Sequence, residues 1–272
     1  MAKSETPSET TSGNSDATLY QVARGVATIT LNRPERKNSL GEELVESLAG
    51  DLDRAMTDAA VRAVVLTNVG NTFCAGADLK ADRPGVPDDD RPRRTFVDVM
   101  DLILDGPKPV LGRIDGHVTG GGVGLVAACD ISIMRDDAKI GFAEVRLGVA
   151  PAVISVVCLP KMRRADASEL FLTGERFTPA RAAEVGLINR AVPAAELDEA
   201  VDRYLSMLVR GGPLALAACK ELVSRLPGMD DRDEAFAWAA ARSQALFASD
   251  EAAAGIAAFR QRRDAPWVPA SD

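Results

Sequence analysis

The segment Ile114-Asp-Gly-His-Val-Thr-Gly-Gly-Gly-Val-Gly124 is the most informative stretch of this 272-residue sequence. It follows the apolar run 108–114, which predicts a strand, and it leads into residues 123–129, which predict a short helix. Three consecutive glycines before a helix N-terminus allow backbone N–H groups and the helix dipole to face an anion. Glycine clusters are also common in plain turns, so the segment needs partners elsewhere in the chain to indicate a site.

Two further segments supply such partners. Asn71-Thr-Phe-Cys-Ala-Gly-Ala-Asp-Leu-Lys80 follows residues 61–67, a β-branched run typical of a strand buried on both faces. The small residues 75–77 would let a ligand approach the main chain closely. The third segment, Ile140-Gly-Phe-Ala-Glu-Val-Arg-Leu-Gly-Val-Ala-Pro151, sets one carboxyl group, that of Glu144, among apolar and small neighbours. Such a setting favours the neutral form of the carboxyl group if these neighbours line a pocket.

The rest of the first half alternates helices and strands, which predicts α/β layering. Residues 18–23 and 26–31 predict a hairpin, and residues 95–104 and 131–134 predict a helix and a strand. Ser39 and Glu42 have the spacing of a capping box before an apolar helical repeat. The Pro- and Asp-rich stretch 81–94 is typical of an excursion that could act as a lid.

From about residue 151 the pattern becomes mainly helical. Apolar runs at 153–159 and 165–172 precede a helix opened by Thr178-Pro179, and three further helices are predicted at 196–209, 214–226 and 233–259. We therefore predict a disordered tail at 1–16, a core with the site at 17–205 and a helical oligomerisation region at 206–272.

Composition excludes several partners. The net charge of −8 and the pI of about 4.9 provide no basic stripe for nucleic acid. Apolar runs fall short of the roughly 20 residues that span a bilayer. The four cysteines lie far apart without a C-x-x-C pair, so we expect them to be reduced and mostly buried. The N-terminal residues have no secretory or transit pattern, and a cytoplasmic location is expected.

Other kinds of site fit the sequence less well. Gly122-Val-Gly-Leu-Val-Ala127 matches a dinucleotide-binding pattern, but a six-residue loop separates it from the strand and the helix is short for a crossover. His117 is the sole histidine and no G-x-S-x-G elbow accompanies it, which disfavours a triad. Cys74 suits a small buried thiol better than a nucleophile. Asp88–Asp90 reads as a solvated run, and no metal site is predicted.

In this order and spacing, the three segments resemble the crotonase (enoyl-CoA hydratase/isomerase) superfamily. The likeness extends over about residues 18–266 and includes Leu31-Asn-Arg-Pro-Glu-Arg-Lys-Asn38. It implies an α/β fold, with a ββα spiral core and a helical C-terminal region used in trimerisation. It further implies an acyl-CoA thioester as the partner, with coenzyme A as part of the substrate and no separate cofactor. A homotrimer or a dimer of trimers is the implied assembly.

The resemblance also implies roles for residues. Ala77 and Gly121 match the family's two oxyanion-hole residues, whose backbone N–H groups stabilise an enolate. Glu144 matches the second of two catalytic glutamates, whereas Gly124 stands where the first would be. The remaining substrate-binding candidates are Ala75, Gly76, Asp78, Leu79, Lys80, Gly120, Gly122, Gly124 and Arg146. Candidate phosphate contacts are Arg36, Lys37, Arg262 and Arg263.

The resemblance implies hydration of a 2-enoyl-CoA thioester with Glu144 as acid and base. Residues 144–155 resemble the branch that contains 3-methylglutaconyl-CoA hydratases, in which Arg146 would bind a second carboxylate at the far end of the acyl group. Two alternatives remain open. One is a Δ3,Δ2-enoyl-CoA isomerase that uses Glu144 alone, and the other is a non-catalytic acyl-CoA binder.

Overall fold

The computed structural model describes residues 17–80 and 94–269. Within these ranges the strands β1–β10 are, in chain order, Thr18–Ala23, Val26–Leu31, Ala63–Asn68, Thr72–Cys74, Val110–Ile114, His117–Thr119, Ile131–Arg135, Ile140–Gly141, Arg176–Phe177 and Arg190–Val192. The α-helices of the same ranges, α1–α10, are Glu42–Thr57, Phe96–Asp105, Gly121–Ala128, Ala152–Cys158, Arg164–Thr173, Pro179–Glu184, Leu197–Leu208, Pro213–Arg225, Arg232–Phe247 and Asp250–Arg260.

A ββα unit repeats three times, as β3-β4-α2, β5-β6-α3 and β7-β8-α4. The first strand of each unit joins a six-stranded sheet of order β1-β2-β3-β5-β7-β10, and the second joins a four-stranded sheet of order β4-β6-β8-β9. In each sheet, the corresponding strands of successive units pair in parallel. The predicted α/β fold with a ββα spiral core is confirmed.

This repeat sets the position of the three informative segments. Each of them continues from a strand of the small sheet: residues 75–80 from β4, Gly120 from β6 and residues 142–144 from β8. Because β4, β6 and β8 are adjacent and parallel, their carboxyl ends meet at one edge of the sheet. Segments far apart in sequence are thereby brought together.

Apolar periodicity accounts for the elements that frame this edge. Helix α1 buries Leu44, Leu48 and Leu52, which lie four residues apart on one face, against the large sheet. All six residues of β3 are buried, as expected for a parallel strand covered on both faces. Helix α2 begins with a capping box in which the Thr95 hydroxyl accepts from the Asp98 N–H and the Asp98 carboxylate accepts from the Thr95 N–H at 2.6 Å.

Two local predictions are wrong. The capping box at Ser39 and Glu42 does not form; Gly41 is the N-cap of α1, because Leu40 is instead tied by its N–H to the Gly76 carbonyl. The single helix predicted at 233–259 is two helices, since the Ser249 hydroxyl accepts the Ala252 N–H and starts α10 anew. The informative segments 71–80 and 114–124 also contain short strands that were not predicted, the three-residue β4 and β6.

Helices α7 to α10 form the C-terminal part. The predicted division at residue 205 falls inside α7, which packs Leu197 and Val201 against the large sheet. Helices α9 and α10 leave Phe236, Phe247 and Phe259 exposed. Across the described ranges, no helix is long and apolar enough to cross a membrane. The predicted tail 1–16 and all but Arg94 of the stretch 81–94 lie outside the described residues.

Candidate active site

Backbone hydrogen bonds hold the segment after β4 in an open loop. The Ala75 N–H donates to the Lys37 carbonyl at 3.1 Å, and the Gly76 carbonyl accepts from Leu40 at 2.7 Å. The Thr119 hydroxyl donates to the Ala75 carbonyl at 3.1 Å and so ties the loop to β6. The Ala77 N–H, by contrast, has no acceptor among the described residues. This donor therefore remains available to a ligand.

The second loop touches the first at Gly76. A Cβ atom added to Gly76 would lie 3.0 Å from both the Gly121 nitrogen and the Thr119 carbonyl oxygen, which is closer than ordinary contact. The Gly76 φ of +84° also favours glycine. Gly121 is the first residue of α3, and its N–H likewise has no acceptor in the described parts of the chain. Two free backbone donors thus lie on touching loops.

Glu144 brings its carboxyl group to the same place. It opens a 3₁₀ turn, Glu144–Leu147, just after the buried Phe142, whose ring packs on Phe171 with centroids 4.2 Å apart. Glu144 Oε1 lies 3.5 Å from the position that a Cβ on Gly120 would occupy, and Gly76 Cα lies at the same distance from that position. The carboxyl group therefore borders both glycine loops.

The environment of Glu144 suits proton transfer. Its Oε2 is buried and has no hydrogen-bond partner within the described residues. Burial raises the pKa of Glu144 above its ordinary value, and a hydrogen bond from its own backbone opposes this in part. A half-buried carboxylate with one unpartnered oxygen is positioned to accept a proton from a bound molecule and return it.

Gly122 and Gly124, both predicted to bind substrate, are buried against the protein itself. A Cβ on Gly122 would lie 2.5 Å from the Cys74 carbonyl oxygen, and a Cβ on Gly124 would lie 2.4 Å from Ile154 Cγ2. These glycines allow α3 to pack against β4 and α4. This packing also accounts for the resemblance to a dinucleotide-binding pattern.

The charged candidates lie at the periphery of the loops. The Asp78 carboxylate accepts the Lys80 N–H at 3.1 Å and lies 3.5 Å from Arg36, while Leu79 and Lys80 are exposed. The Arg146 side chain is exposed and its Nε donates to the Thr173 carbonyl at 3.4 Å. Side chains two positions apart in a 3₁₀ turn point in directions about 240° apart. Arg146 therefore leaves the turn on a different side from Glu144.

Sequence reasoning missed four residues of the site. Thr119 is the side chain that ties the two loops together, and Leu40, Phe96 and Ile154 contact the face of α3 that carries Gly121 and Gly124. Only the helical patterns around Phe96 and Ile154 gave any signal, and a helical pattern does not identify the surface on which a side chain packs.

His117 and Cys74 have structural surroundings. The His117 Nδ1 accepts the Lys139 N–H at 3.0 Å. Cys74 is fully buried, and burial raises the pKa of its thiol to about 12. A thiol with such a pKa remains protonated near neutrality and is a poor nucleophile. Three of the four cysteines are buried, as predicted, and Cys219 is exposed.

Known proteins are similar to this chain over most of its length. A family model described as enoyl-CoA hydratase/isomerase matches residues 21–269. The carnitinyl-CoA dehydratase of Proteus mirabilis is 31% identical over 259 residues, which are 92% of this chain and 97% of that protein. The crystal structure of an enoyl-CoA hydratase from Mycobacterium smegmatis is 32% identical with a TM-score of 0.82, covering 92% of this chain and 98% of that one.

A second solved structure, an enoyl-CoA hydratase from Bacillus anthracis, is 28% identical with a TM-score of 0.83 and covers 93% of this chain and 100% of that one. The likeness therefore includes all three site segments as well as the C-terminal helices. The chain belongs to the enoyl-CoA hydratase/isomerase family and has the fold of the crotonase superfamily.

Proposed function

We propose that the protein hydrates a 2-enoyl-CoA thioester. The observation that carries this proposal concerns two loops that border the half-buried carboxyl group of Glu144: their N–H groups at Ala77 and Gly121 have no acceptor among the described residues. An acyl thioester becomes reactive next to its carbonyl only when negative charge on the thioester oxygen is stabilised. Preorganised N–H donors do this without side-chain entropy and without titrating.

Each proton transfer in this mechanism uses Glu144. The carboxylate takes a proton from water as the water oxygen bonds to C3 of the enoyl group. The electrons of the double bond then move towards the thioester oxygen, and the resulting enolate is held by the N–H groups of Ala77 and Gly121. Glu144 next gives its proton to C2, which completes the 3-hydroxyacyl product and restores the carboxylate.

Coenzyme A enters as part of the substrate. The loop of residues 75–80 would bind it, with exposed backbone at Ala77 and cationic side chains nearby at Arg36 and Lys80. The prediction that Arg146 binds a second carboxylate finds no support in its position beside Thr173. This position does not favour a substrate of the 3-methylglutaconyl-CoA type.

Turnover of crotonyl-CoA tests the proposal, because hydration removes the absorbance of the enoyl thioester. The wild-type protein should consume the substrate, and Glu144→Gln should lose about 100-fold to 10,000-fold in kcat, the usual contribution of a general acid–base group. Glu199→Gln, an exposed carboxyl on α7, is the matched control and should keep full activity. Undiminished turnover in Glu144→Gln would remove this residue from the mechanism.

Isomerisation of a 3-enoyl-CoA is the second candidate function. It is favoured by the packing at Gly124, where Ile154 fills the space that a second carboxylate would need. A single carboxylate can take a proton from C2 and return it to C4 through the same enolate. Product analysis with 3-hexenoyl-CoA separates the two reactions. Binding without turnover of either substrate would identify a non-catalytic acyl-CoA binder.

We further propose that the C-terminal helices assemble the protein into a homotrimer in the cytoplasm. Large apolar side chains are exposed on these helices, at Phe236, Phe247 and Phe259, and an interface there would remove them from water. Sedimentation analysis of wild type and Phe247→Asp tests this. A wild-type monomer would exclude the trimer.

A further inference from the structure

One face of helix α3 carries two glycines whose surroundings differ. Gly121 and Gly124 lie three residues apart, so both face the same side of the helix. The Gly121 N–H has no acceptor in the part of the chain that the structure describes, whereas the space over Gly124 is filled. A Cβ on Gly124 would lie 2.4 Å from Ile154 Cγ2, 3.0 Å from Ile154 Cβ and 3.4 Å from Phe96 Cζ. Ile154 thus occupies the volume that a side chain at position 124 would take.

Phe96 extends this packing towards the free amide. Its Cε1 lies 3.8 Å from the position of a Cβ on Gly121, and Leu40 Cδ1 lies 2.6 Å from the same position. The three side chains of Leu40, Phe96 and Ile154 therefore form a continuous hydrocarbon surface along α3, which we term the apolar wall. None of the three carries a hydrogen-bonding group.

The apolar wall lies beside the proton-transfer group. Gly120 directly precedes Gly121, which Leu40 and Phe96 contact, and Glu144 Oε1 lies 3.5 Å from the position that a Cβ on Gly120 would occupy. In the proposed function the thioester oxygen lies at Ala77 and Gly121, and C2 and C3 lie at Glu144. The remainder of the acyl chain then meets the apolar wall.

We propose that Ile154 is the specificity-determining residue of this site, and that with Phe96 it selects short, uncharged acyl groups. The proposal rests on the proposed function, since it names the acyl class of the same substrate. A terminal carboxylate against the apolar wall would lose its water and gain no partner. Ile154 is only 2% exposed and packs against α3 behind the partly exposed Phe96, so it closes this end of the site to a longer chain.

Calorimetric titration with saturated acyl-CoA thioesters tests this independently of turnover. Wild type should bind pentanoyl-CoA at least tenfold more tightly than glutaryl-CoA, which has the same chain length but ends in a carboxylate. It should also prefer butanoyl-CoA to octanoyl-CoA. Ile154→Ala removes three carbons and should shift the butanoyl/octanoyl ratio at least tenfold towards octanoyl-CoA, because each methylene in an apolar pocket changes discrimination about tenfold or more.

Two further variants serve as a conservative substitution and a control. Ile154→Val should shift the ratio in the same direction by less, and it removes one carbon only, so folding is retained. Val153→Ala changes the neighbouring residue of α4, which is 49% exposed, and should leave the ratio unchanged. An unchanged ratio in both Ile154 variants, or tighter wild-type binding of glutaryl-CoA than of pentanoyl-CoA, would overturn the proposal.

The outcomes separate this inference from the proposed function. A shifted ratio without turnover of any enoyl-CoA would refute the hydratase function and leave Ile154 as the specificity residue. Turnover of an enoyl-CoA with an unchanged butanoyl/octanoyl ratio would support the hydratase function and refute the role of Ile154 in specificity. Absence of binding to every acyl-CoA would overturn both.

Discussion

Gly76→Ala tests the contact between the two loops on which the site depends. The added Cβ would lie 3.0 Å from the Gly121 nitrogen, 3.0 Å from the Thr119 carbonyl oxygen and 3.2 Å from Gly120 Cα. All three neighbours are backbone atoms, which cannot rotate away. Restoring ordinary contact therefore requires one loop to move by a few tenths of an ångström, and the Gly121 N–H moves with it.

The expected magnitudes follow from this geometry. Placing alanine at a φ of +84° costs roughly 1–2 kcal/mol of stability, which corresponds to a fall in Tm of about 2–8 °C for a chain of this size. Misplacement of a catalytic group by about 1 Å can cost about 100-fold in rate. A shift of a few tenths of an ångström should thus lower kcat by about fourfold to tenfold.

The assay is kcat for crotonyl-CoA, measured well below the Tm of each variant and corrected for the folded fraction. Gly25→Ala is the matched control: Gly25 has a φ of +76°, and its added Cβ meets Arg62 Cγ at 3.0 Å in the β1–β2 turn. It should lose similar stability and retain kcat. Full kcat in Gly76→Ala, or an equal loss of kcat in Gly25→Ala, would refute the link between loop contact and catalysis.

Three further predictions concern Glu144, the packing at Gly124 and the cysteines. Burial raises the pKa of Glu144, so the acid limb of the profile of kcat/KM against pH should lie above pH 4.5. The contribution of Glu144 to the free energy of unfolding is full below its unfolded pKa and is lost as pH rises through its folded pKa. Glu144→Gln should abolish that pH-dependent loss of stability, as urea unfolding can measure. Gly124→Ala should destabilise wild type but cost at least about 1 kcal/mol less in an Ile154→Ala background, because the two side chains compete for one volume, and a thermal double-mutant cycle measures this. An alkylating reagent should modify Cys219 and spare Cys74, with activity retained, as peptide mass spectrometry can show.

Much of the large sheet was predictable because its strands are long enough to show a pattern. Strands β1 and β2 have the predicted bounds, and the buried run of β3 is evident from its β-branched residues. The small sheet was not predictable in this way. Its strands are two or three residues long, which is too short for alternation to appear, and they lie inside segments that read as loops.

In the site, too, residues within a distinctive segment could be predicted, whereas their contacts with distant parts of the chain could not. The glycine loops and Glu144 were identified because each lies in a distinctive segment. The partners that shape them were not: Leu40 and Ile154 are more than 110 residues apart in sequence and meet the same face of α3. Such contacts depend on how the ββα units stack. Gly122 and Gly124 likewise were predicted to bind substrate, although their surroundings are set by Cys74 and Ile154.

Because Ile154 fills the space over Gly124, the proposed reaction has one carboxyl group for both of its proton transfers. With no carboxyl group at that position, Glu144 must serve as base in one half of the reaction and as acid in the other. An ordinary glutamate is a competent base but a weak proton donor near neutrality, because its conjugate acid is scarce there. Burial that raises the pKa of Glu144 narrows this imbalance, since the two forms become closer in free energy at the working pH. In the proposed reaction the apolar wall would then contribute to catalysis as well as to specificity: by keeping water from the face of α3, it would leave Glu144 as the proton donor to the enolate at Ala77 and Gly121.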